Sequence, residues 1–334
     1  MIKELLPKSG KFYKVNFHTH TTLSDGTLTC EETKEHFKSL GYSAVCFTDH
    51  DMFITHDDLC DDEFIALHGN EVALKPLAYF KNQPFSPTCH INFFALNQSI
   101  REMPVYYTPY DELSDDAKEV IKLRNVKVEN GVTKFKPYDM KWLAKYIVEM
   151  RKAGFIATFN HPQWSLQNCN DYVGLDGLFG IEIINGESTL HNDNTPIHFE
   201  TMLRAGMDVI PVAGDDNHSK HFAGTAWTMI NANELSYDAL MQGLLKGNSY
   251  ASSGPEIHEL YIEDNEVVVK CSPAYSVTLF SEGRGMSRKV SEKGDLTEVR
   301  LSFRPENYGR YFRFEIRDIH GKKAYTRAYL ISEL

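Results

Sequence analysis

Ser43-Ala44-Val45-Cys46-Phe47-Thr48-Asp49-His50-Asp51 runs from an apolar core directly into a polar turn. A short continuous apolar run of this kind reads as a buried strand. Upstream, Thr29 opens a helical pattern that lasts to Leu40. Glu31 and Glu32 sit in its first turn, where carboxylates suit the helix dipole, and Gly41 stops it. Residues 12–18 read as another strand before that helix. Strand, helix and buried strand in succession make one unit of an α/β fold.

The same alternation extends outward. Residues 64–67, 91–96, 155–159, 180–184 and 208–213 are strand candidates, and 139–153, 196–205 and 236–246 carry helical patterns. Such alternation predicts parallel strands covered by helices, as a barrel or a doubly wound sheet. The charged, tyrosine-bearing segment 99–137 interrupts it and reads as an insertion on one face. Near Ser252-Ser253-Gly254-Pro255 the pattern changes. Strand-like runs follow at 259–262, 266–271, 276–280, 298–303, 311–316 and 324–331, which predicts a small antiparallel β-sandwich. The expected organisation is an α/β unit over 1–255 and an all-β unit over 256–334.

Composition narrows the function classes. The chain has 334 residues, with 35 Lys plus Arg against 46 Asp plus Glu, a formal charge of −11, and 14 histidines. Its 42% hydrophobic and 24% charged content is that of a globular protein rather than a disordered one. No apolar stretch approaches the roughly 18 residues of a membrane span. The start, Met1-Ile2-Lys3-Glu4-Leu5-Leu6-Pro7, has no apolar core of signal-peptide length, so a cytoplasmic protein without a membrane partner is expected. The six cysteines are scattered and form no CxxC pair, which fits reduced thiols rather than a disulfide framework or a thiolate zinc site. Excess acid speaks against long nucleic acid on the general surface. A small anionic substrate stays open, because bound dications invert the local field. Oligomeric state is not legible in the sequence.

The densest chemistry is Asn16-Phe17-His18-Thr19-His20-Thr21-Thr22-Leu23-Ser24-Asp25-Gly26. On an extended strand residues i and i+2 share a face, so His18 and His20 can present two imidazoles to one ion, with Asp25 following in a turn. Thr48-Asp49-His50 lies where parallel barrels place active sites, at a strand C-terminal end, with Asp49 placed to orient an imidazole. Gly69-Asn70-Glu71, Cys89-His90-Ile91, Asn160-His161-Pro162 and Asp215-Asp216-Asn217-His218 add four clusters at strand margins. Any one of these histidines, alone, is ordinarily a hydrogen-bonded histidine. Six clusters at successive strand ends point to a metal site, since accidents would scatter as His36, His56, His68, His191, His198, His221, His258 and His320 do.

The order His18-x-His20, Asp25, Thr48-Asp49-His50, Glu71, His90, His161-Pro162, Asp216-x-His218 resembles the polymerase-and-histidinol-phosphatase (PHP) family, over about residues 12–255. The resemblance implies a distorted (β/α)7 barrel with two or three divalent ions at the strand C-terminal ends. It implies that His18, His20, Glu71 and Asp216 hold a first ion and that Asp25, His50 and His218 hold a second. Glu71, His90 and His161 would hold a third, with Glu71 bridging. The stretches 160–165, 180–186, 215–218 and 250–255, and the ending from Tyr311 to Ala324, resemble a branch with a C-terminal β-domain. That branch includes metallohydrolases acting on carbamate or phosphate esters. The family often has Ser where Asp215 stands here, so an extra carboxylate is expected near the second ion.

A ligand set of His, Asp and Glu without Cys suits Mn²⁺, Fe²⁺ or Zn²⁺. The expected reaction is hydrolysis of a small phosphate ester by metal-activated hydroxide. His191 is the candidate leaving-group acid, with an ordinary loop histidine as the alternative. Gln163, Trp164 and Asn185 are expected to shape the pocket, Trp164 by stacking a ring, and Lys75 is a candidate phosphate contact or a plain surface lysine. Two other functions remain open: a carboxylic or carbamate ester hydrolase using the same metals, and a non-catalytic metal-binding module.

Overall fold

In the computed structural model, residues 2–83, 85–188 and 196–334 are described. In chain order the first elements are β1 (Ile2–Glu4), β2 (Lys11–Asn16), α1 (Cys30–Ser39), β3 (Ala44–Phe47), β4 (Ile65–Leu74), α2 (Leu77–Phe80) and β5 (Cys89–Ala95). The insertion carries β6 (Thr108–Pro109), α3 (Asp115–Leu123), β7 (Val128–Glu129) and β8 (Val132–Thr133). Next come α4 (Met140–Lys152), β9 (Phe155–Phe159), α5 (Cys169–Tyr172), β10 (Gly180–Asn185), α6 (Ile197–Arg204), β11 (Ile210–Gly214), β12 (Trp227–Ala232), α7 (Tyr237–Leu245) and β13 (Ser249–Ser252). The chain ends with β14 (Ile257–Glu263), β15 (Glu266–Ala274), β16 (Ser276–Ser281), β17 (Met286–Val290), β18 (Leu296–Ser302), β19 (Tyr311–Arg317), β20 (Lys323–Thr326) and β21 (Tyr329–Leu330).

Local chemistry accounts for the helices. Thr29 caps α1, accepting from the Glu32 backbone N–H while the Glu32 carboxylate accepts from that of Thr29. Asp139 caps α4 by accepting from the N–H groups of Lys141 and Trp142. The apolar stripe of α4, made by Leu143, Tyr146, Ile147 and Met150, joins the core that includes Phe93, Phe155 and Phe159.

The protein is a mixed α/β fold dominated by sheet. One long sheet runs in the order β11-β10-β9-β5-β4-β3-β2-β12-β13-β20-β19-β16-β17, with β21 on β19. Strands β2, β3 and β4 are parallel, and so are β9, β10 and β11. β5 runs antiparallel to both β4 and β9, and β12 antiparallel to β2. The all-parallel expectation fails here for a physical reason. Parallel neighbours need a crossover helix, and α2 is only four residues long between β4 and β5.

The long sheet does not close into a continuous ladder among the described residues. β11 meets β2 at a seam of one Thr19–Asn217 bridge and two bonds, Asp216 N–H to the His18 carbonyl at 2.8 Å and His20 N–H to the Asn217 carbonyl at 3.2 Å. Gly214 permits this approach, since a Cβ there would lie 2.6 Å from His18 Cβ. Gly214→Ala is therefore expected to destabilise the fold by about 1–3 kcal/mol in denaturant titration, because the strands must move apart.

Beyond β13 two antiparallel sets face one another. One is β1-β14-β15-β18, and the other is the β20-β19-β16-β17 end of the long sheet. Leu260, Val267, Val269, Val277, Leu279, Phe312, Phe314 and Ile316 fill the space between them. The first set includes the N-terminal strand, because Ile2 pairs with Glu263. The second set continues the α/β sheet directly, since Tyr250 pairs with Thr326. Among the described residues no helix is long and apolar enough to cross a membrane.

Candidate metal centre

The parallel strands end on one face, and their following residues converge there. His18 and His20 follow β2, His50 follows β3, His161 follows β9, and Asp216 and His218 follow β11. His90 fits the same scheme because β5 is reversed, so its first residues reach the face that the parallel strands reach with their last. Glu71 lies inside β4, beside His50 through an isolated bridge. Two of these positions carry backbone strain. His161 has φ 25° directly before Pro162, and Asp216 has φ 52°, left-handed values that are costly with a Cβ and recur at functional sites.

Glu71 is at the middle and is 1% exposed. Its Oε1 lies 3.2 Å from His18 Nε2, 3.2 Å from His90 Nδ1 and 3.4 Å from His161 Nε2. Its Oε2 lies 3.3 Å from His20 Nε2 and 3.1 Å from His50 Nδ1. Asp216 Oδ1 is 3.1 Å from His18 Nε2 and 3.0 Å from His20 Nε2. Asp25 stands on the open side, 3.6 Å from His50 Nε2 and 3.5 Å from His218 Nε2. Four groups gather closely enough to share a cation: His20, Asp25, His50 and His218; His18, His161 and Asp216; His18, His20 and Glu71; and Glu71, His90 and His161. His20 thus stands with the Asp25 group as well as with Glu71.

Electrostatics sharpen the picture. Burial opposes protonation of His20, but the nearby Asp216 and Glu71 carboxylates overcome it and push its pKa up to about 10. Burial likewise opposes, and Asp216, Glu71 and Glu182 outweigh it, at His18, whose pKa is raised well above the ordinary value. Burial disfavours the charged forms of Glu71 and Asp216, yet the surrounding imidazoles hold both well below the usual carboxylate range. Burial lowers His50 to about 4 and lowers His90 too, leaving these rings neutral. The donor set fits a cation. Both ring nitrogens of His90 and Nδ1 of His50 are buried without a hydrogen-bond partner. A neutral ring has one lone pair and one N–H, and leaving the lone pair buried is costly unless a cation takes it.

An outer layer orients these side chains, and most of it was not singled out from sequence. The Glu182 carboxylate accepts from His18 Nδ1 at 2.9 Å and from the His161 backbone N–H at 3.0 Å. Glu187 lies 2.9 Å from His218 Nδ1. Asn160 donates to Glu71 Oε1 at 2.8 Å, and Ser165 sits 3.0 Å from His161 Nδ1. Asn16 joins the two halves of the seam, its Oδ1 accepting from the His18 and Asp215 N–H groups. A lone acid inside the apolar run Gly180-Ile181-Glu182-Ile183 was the available signal, since a buried carboxylate needs partners.

Three expected roles change. Asp49 accepts from Thr21 N–H, Thr21 Oγ1 and Ser24 Oγ, so it holds the turn leading to Asp25 rather than an imidazole. The Asp215 carboxylate turns away from the centre. It accepts from the Tyr42 hydroxyl, the N–H groups of Gly224, Thr225 and Ala226, and Thr225 Oγ1. Asn185 is fully buried and spends its amide on Glu182 and Asp216 and its oxygen on the Ser188 N–H, so it supports the centre from below.

A cavity of about 310 Å3 opens above the cluster. Asp25, His50, Glu71, His90, His161, Asp216 and His218 form its floor, and Lys75, Tyr79 and Trp164 stand on its wall. Trp164 contacts His90 and His161 at ring-centroid distances of 5.6 and 5.0 Å. Gln163 is exposed beside it. His191 lies outside the described residues.

No protein-family model and no curated protein matches the chain. Solved structures do. A two-domain protein from Bacteroides vulgatus, containing a predicted PHP-like metal-dependent phosphoesterase, is 16% identical, with 98% of each chain covered and a TM-score of 0.45. A protein from Bifidobacterium adolescentis, proposed to be a metal-dependent phosphoesterase, is 17% identical over 64% of this chain and 90% of its own, with a TM-score of 0.40. The lesion-specific endonuclease EndoQ from Pyrococcus furiosus is 13% identical over 71% of this chain and 56% of its own, with a TM-score of 0.39.

Proposed function

We propose that the protein is a divalent-metal-dependent hydrolase of small phosphate esters. In this reading a distorted PHP-type barrel over 1–255 carries the chemistry and a β-domain over 256–334 is appended to it. His18, His20, Asp25, His50, Glu71, His90, His161, Asp216 and His218 hold two or three ions of the Mn²⁺, Fe²⁺ or Zn²⁺ type. The observation that carries the reading is the Glu71 carboxylate, whose two oxygens face different sets of imidazoles. One oxygen has two lone pairs, so the three ring nitrogens and the Asn160 amide around Oε1 cannot all be hydrogen bonds to it.

Bound divalent ions supply Lewis acidity and bring the pKa of water toward neutrality. The chain's own residues prepare that chemistry. Glu182 and Glu187 engage Nδ1 of His18 and His218, which directs each Nε2 at the centre. Among the described residues, four carboxylates line the cavity against Lys75, so a phosphate dianion is repelled until ions are held there.

The test is metal analysis followed by turnover. Purified protein is expected to hold two or three transition ions and, with Mn²⁺, to hydrolyse small phosphate esters. A chelator should abolish that activity and Mn²⁺ restore it. Turnover of neutral carboxylic or carbamate esters alone would replace the reading with the ester-hydrolase one. Full metal loading with no turnover of either panel would leave a metal-binding module.

A further inference from the structure

The cavity has two unlike halves. Its floor is the histidine and carboxylate cluster, and its wall carries a lysine and two aromatic rings. Lys75 is half-buried, and among the described residues no carboxylate lies within ion-pair distance of it, although four line the same cavity. Its ammonium instead sits 4.7 Å from the ring centroid of Tyr79, four residues on. Tyr79 and Trp164 are each 42% exposed, which leaves large apolar surface in water at the mouth of a small pocket. The two rings of the wall are held in different ways. Trp164 is set by its contacts with His90 and His161, while Tyr79 is carried by α2. The insertion touches α2 from outside, through the Arg124 guanidinium over the Phe80 ring, and pairs Glu119 with Lys81 just after the helix at 2.7 Å.

We propose that Lys75, Tyr79 and Trp164 form a recognition wall that selects a phosphate ester whose organic group is a single flat ring. Lys75 meets the outer phosphate oxygens, and the aromatic side chains cover the ring. The volume of about 310 Å3 is at the small end for ligand pockets, which suits one ring with its phosphate rather than a polymer. The inference rests on the phosphoesterase reading, and it assigns a purpose to the insertion: holding the wall in place.

Phosphonates test it, because they bind without being cleaved and so remove leaving-group effects. With the Mn²⁺-loaded full chain, calorimetry is expected to give phenylphosphonate a Kd about tenfold or more below that of ethylphosphonate. Tyr79→Leu should bring the ratio toward one at unchanged metal content. Lys75→Gln should weaken both phosphonates alike and leave the ratio. Equal binding of the two phosphonates by the wild type, with phosphate esters still hydrolysed, would overturn the wall while the phosphoesterase reading stood. A single-stranded oligonucleotide displacing phenylphosphonate at equal phosphate concentration would also overturn it. Binding of neither phosphonate to fully metal-loaded protein would sink both.

Discussion

Glu71→Gln is expected to lose at least one bound ion per chain and to lower kcat/KM by about a thousandfold or more, a barrier of several kcal/mol. The substitution keeps shape, removes the charge and exchanges one acceptor oxygen for an N–H donor. Glu71 is buried, and five imidazole nitrogens lie within 3.4 Å of its oxygens. An amide cannot offset cations there, and its N–H groups point donors at imidazoles that need acceptors. The metal-free variant should suffer as well. His18 and His20 are held protonated by Glu71 and Asp216, so losing one carboxylate leaves buried positive charge poorly compensated. Breaking a buried pair from one side costs about 3–5 kcal/mol, readable as a lower denaturation midpoint. Metal analysis and steady-state kinetics check the first part. Full metal content with activity within tenfold of wild type would remove Glu71 from the centre. Asp25→Asn should do less, because Asp25 is exposed on the open side.

Cation affinity is expected to rise by at least about two decades per pH unit between pH 6 and 8. In the metal-free protein the His20 pKa is pushed up to about 10, and that of His18 well above its ordinary value, so both rings hold protons through this window. A cation needs their lone pairs and must displace both protons, and each displacement contributes one decade per unit. Burial opposes protonation of His161 and His218 too, but nearby carboxylates raise both, so these rings add to the count. His50, lowered to about 4, is already neutral, and the ionised Glu71 and Asp216 release nothing. Raised histidine pKa values stabilise the metal-free fold fully below the ordinary histidine pKa of about 6.5, and this support is lost as pH climbs toward 10. Calorimetric metal titrations in buffers of different ionisation enthalpy should count at least two protons released. Affinity independent of pH would show the two rings to be neutral before metal arrives.

Much of this centre was legible in the sequence because strand ends announce themselves. The runs ending at Phe47, Phe159 and Gly214 are apolar, and the His and Asp that follow break the pattern sharply. Strand direction is different. Nothing in Cys89-His90-Ile91-Asn92 encodes that β5 runs backward, since an alternating or apolar run reads the same either way. β17 escaped notice because Met286-Ser287-Arg288-Lys289-Val290 is largely exposed and shows no apolar face. β1, β12 and β13 were missed as well. The 324–331 run splits into β20 and β21 around Arg327-Ala328. Side-chain direction in turns was equally hidden. Asp215 and Asp216 are neighbours, yet one faces Tyr42 and the other His18 and His20.

The pairing of β13 with β20, and of β1 with β14, bears on how such a chain can change over generations. The path from first residue to last crosses between the α/β strands and the terminal strands more than once. Deleting the terminal strands as one cassette would leave β13 with a bare edge and β1 with no partner, and bare edges invite mispairing with other chains. The terminal strands therefore complete the edges of the α/β strands they pair with, and removing them alone would unprotect both β13 and β1.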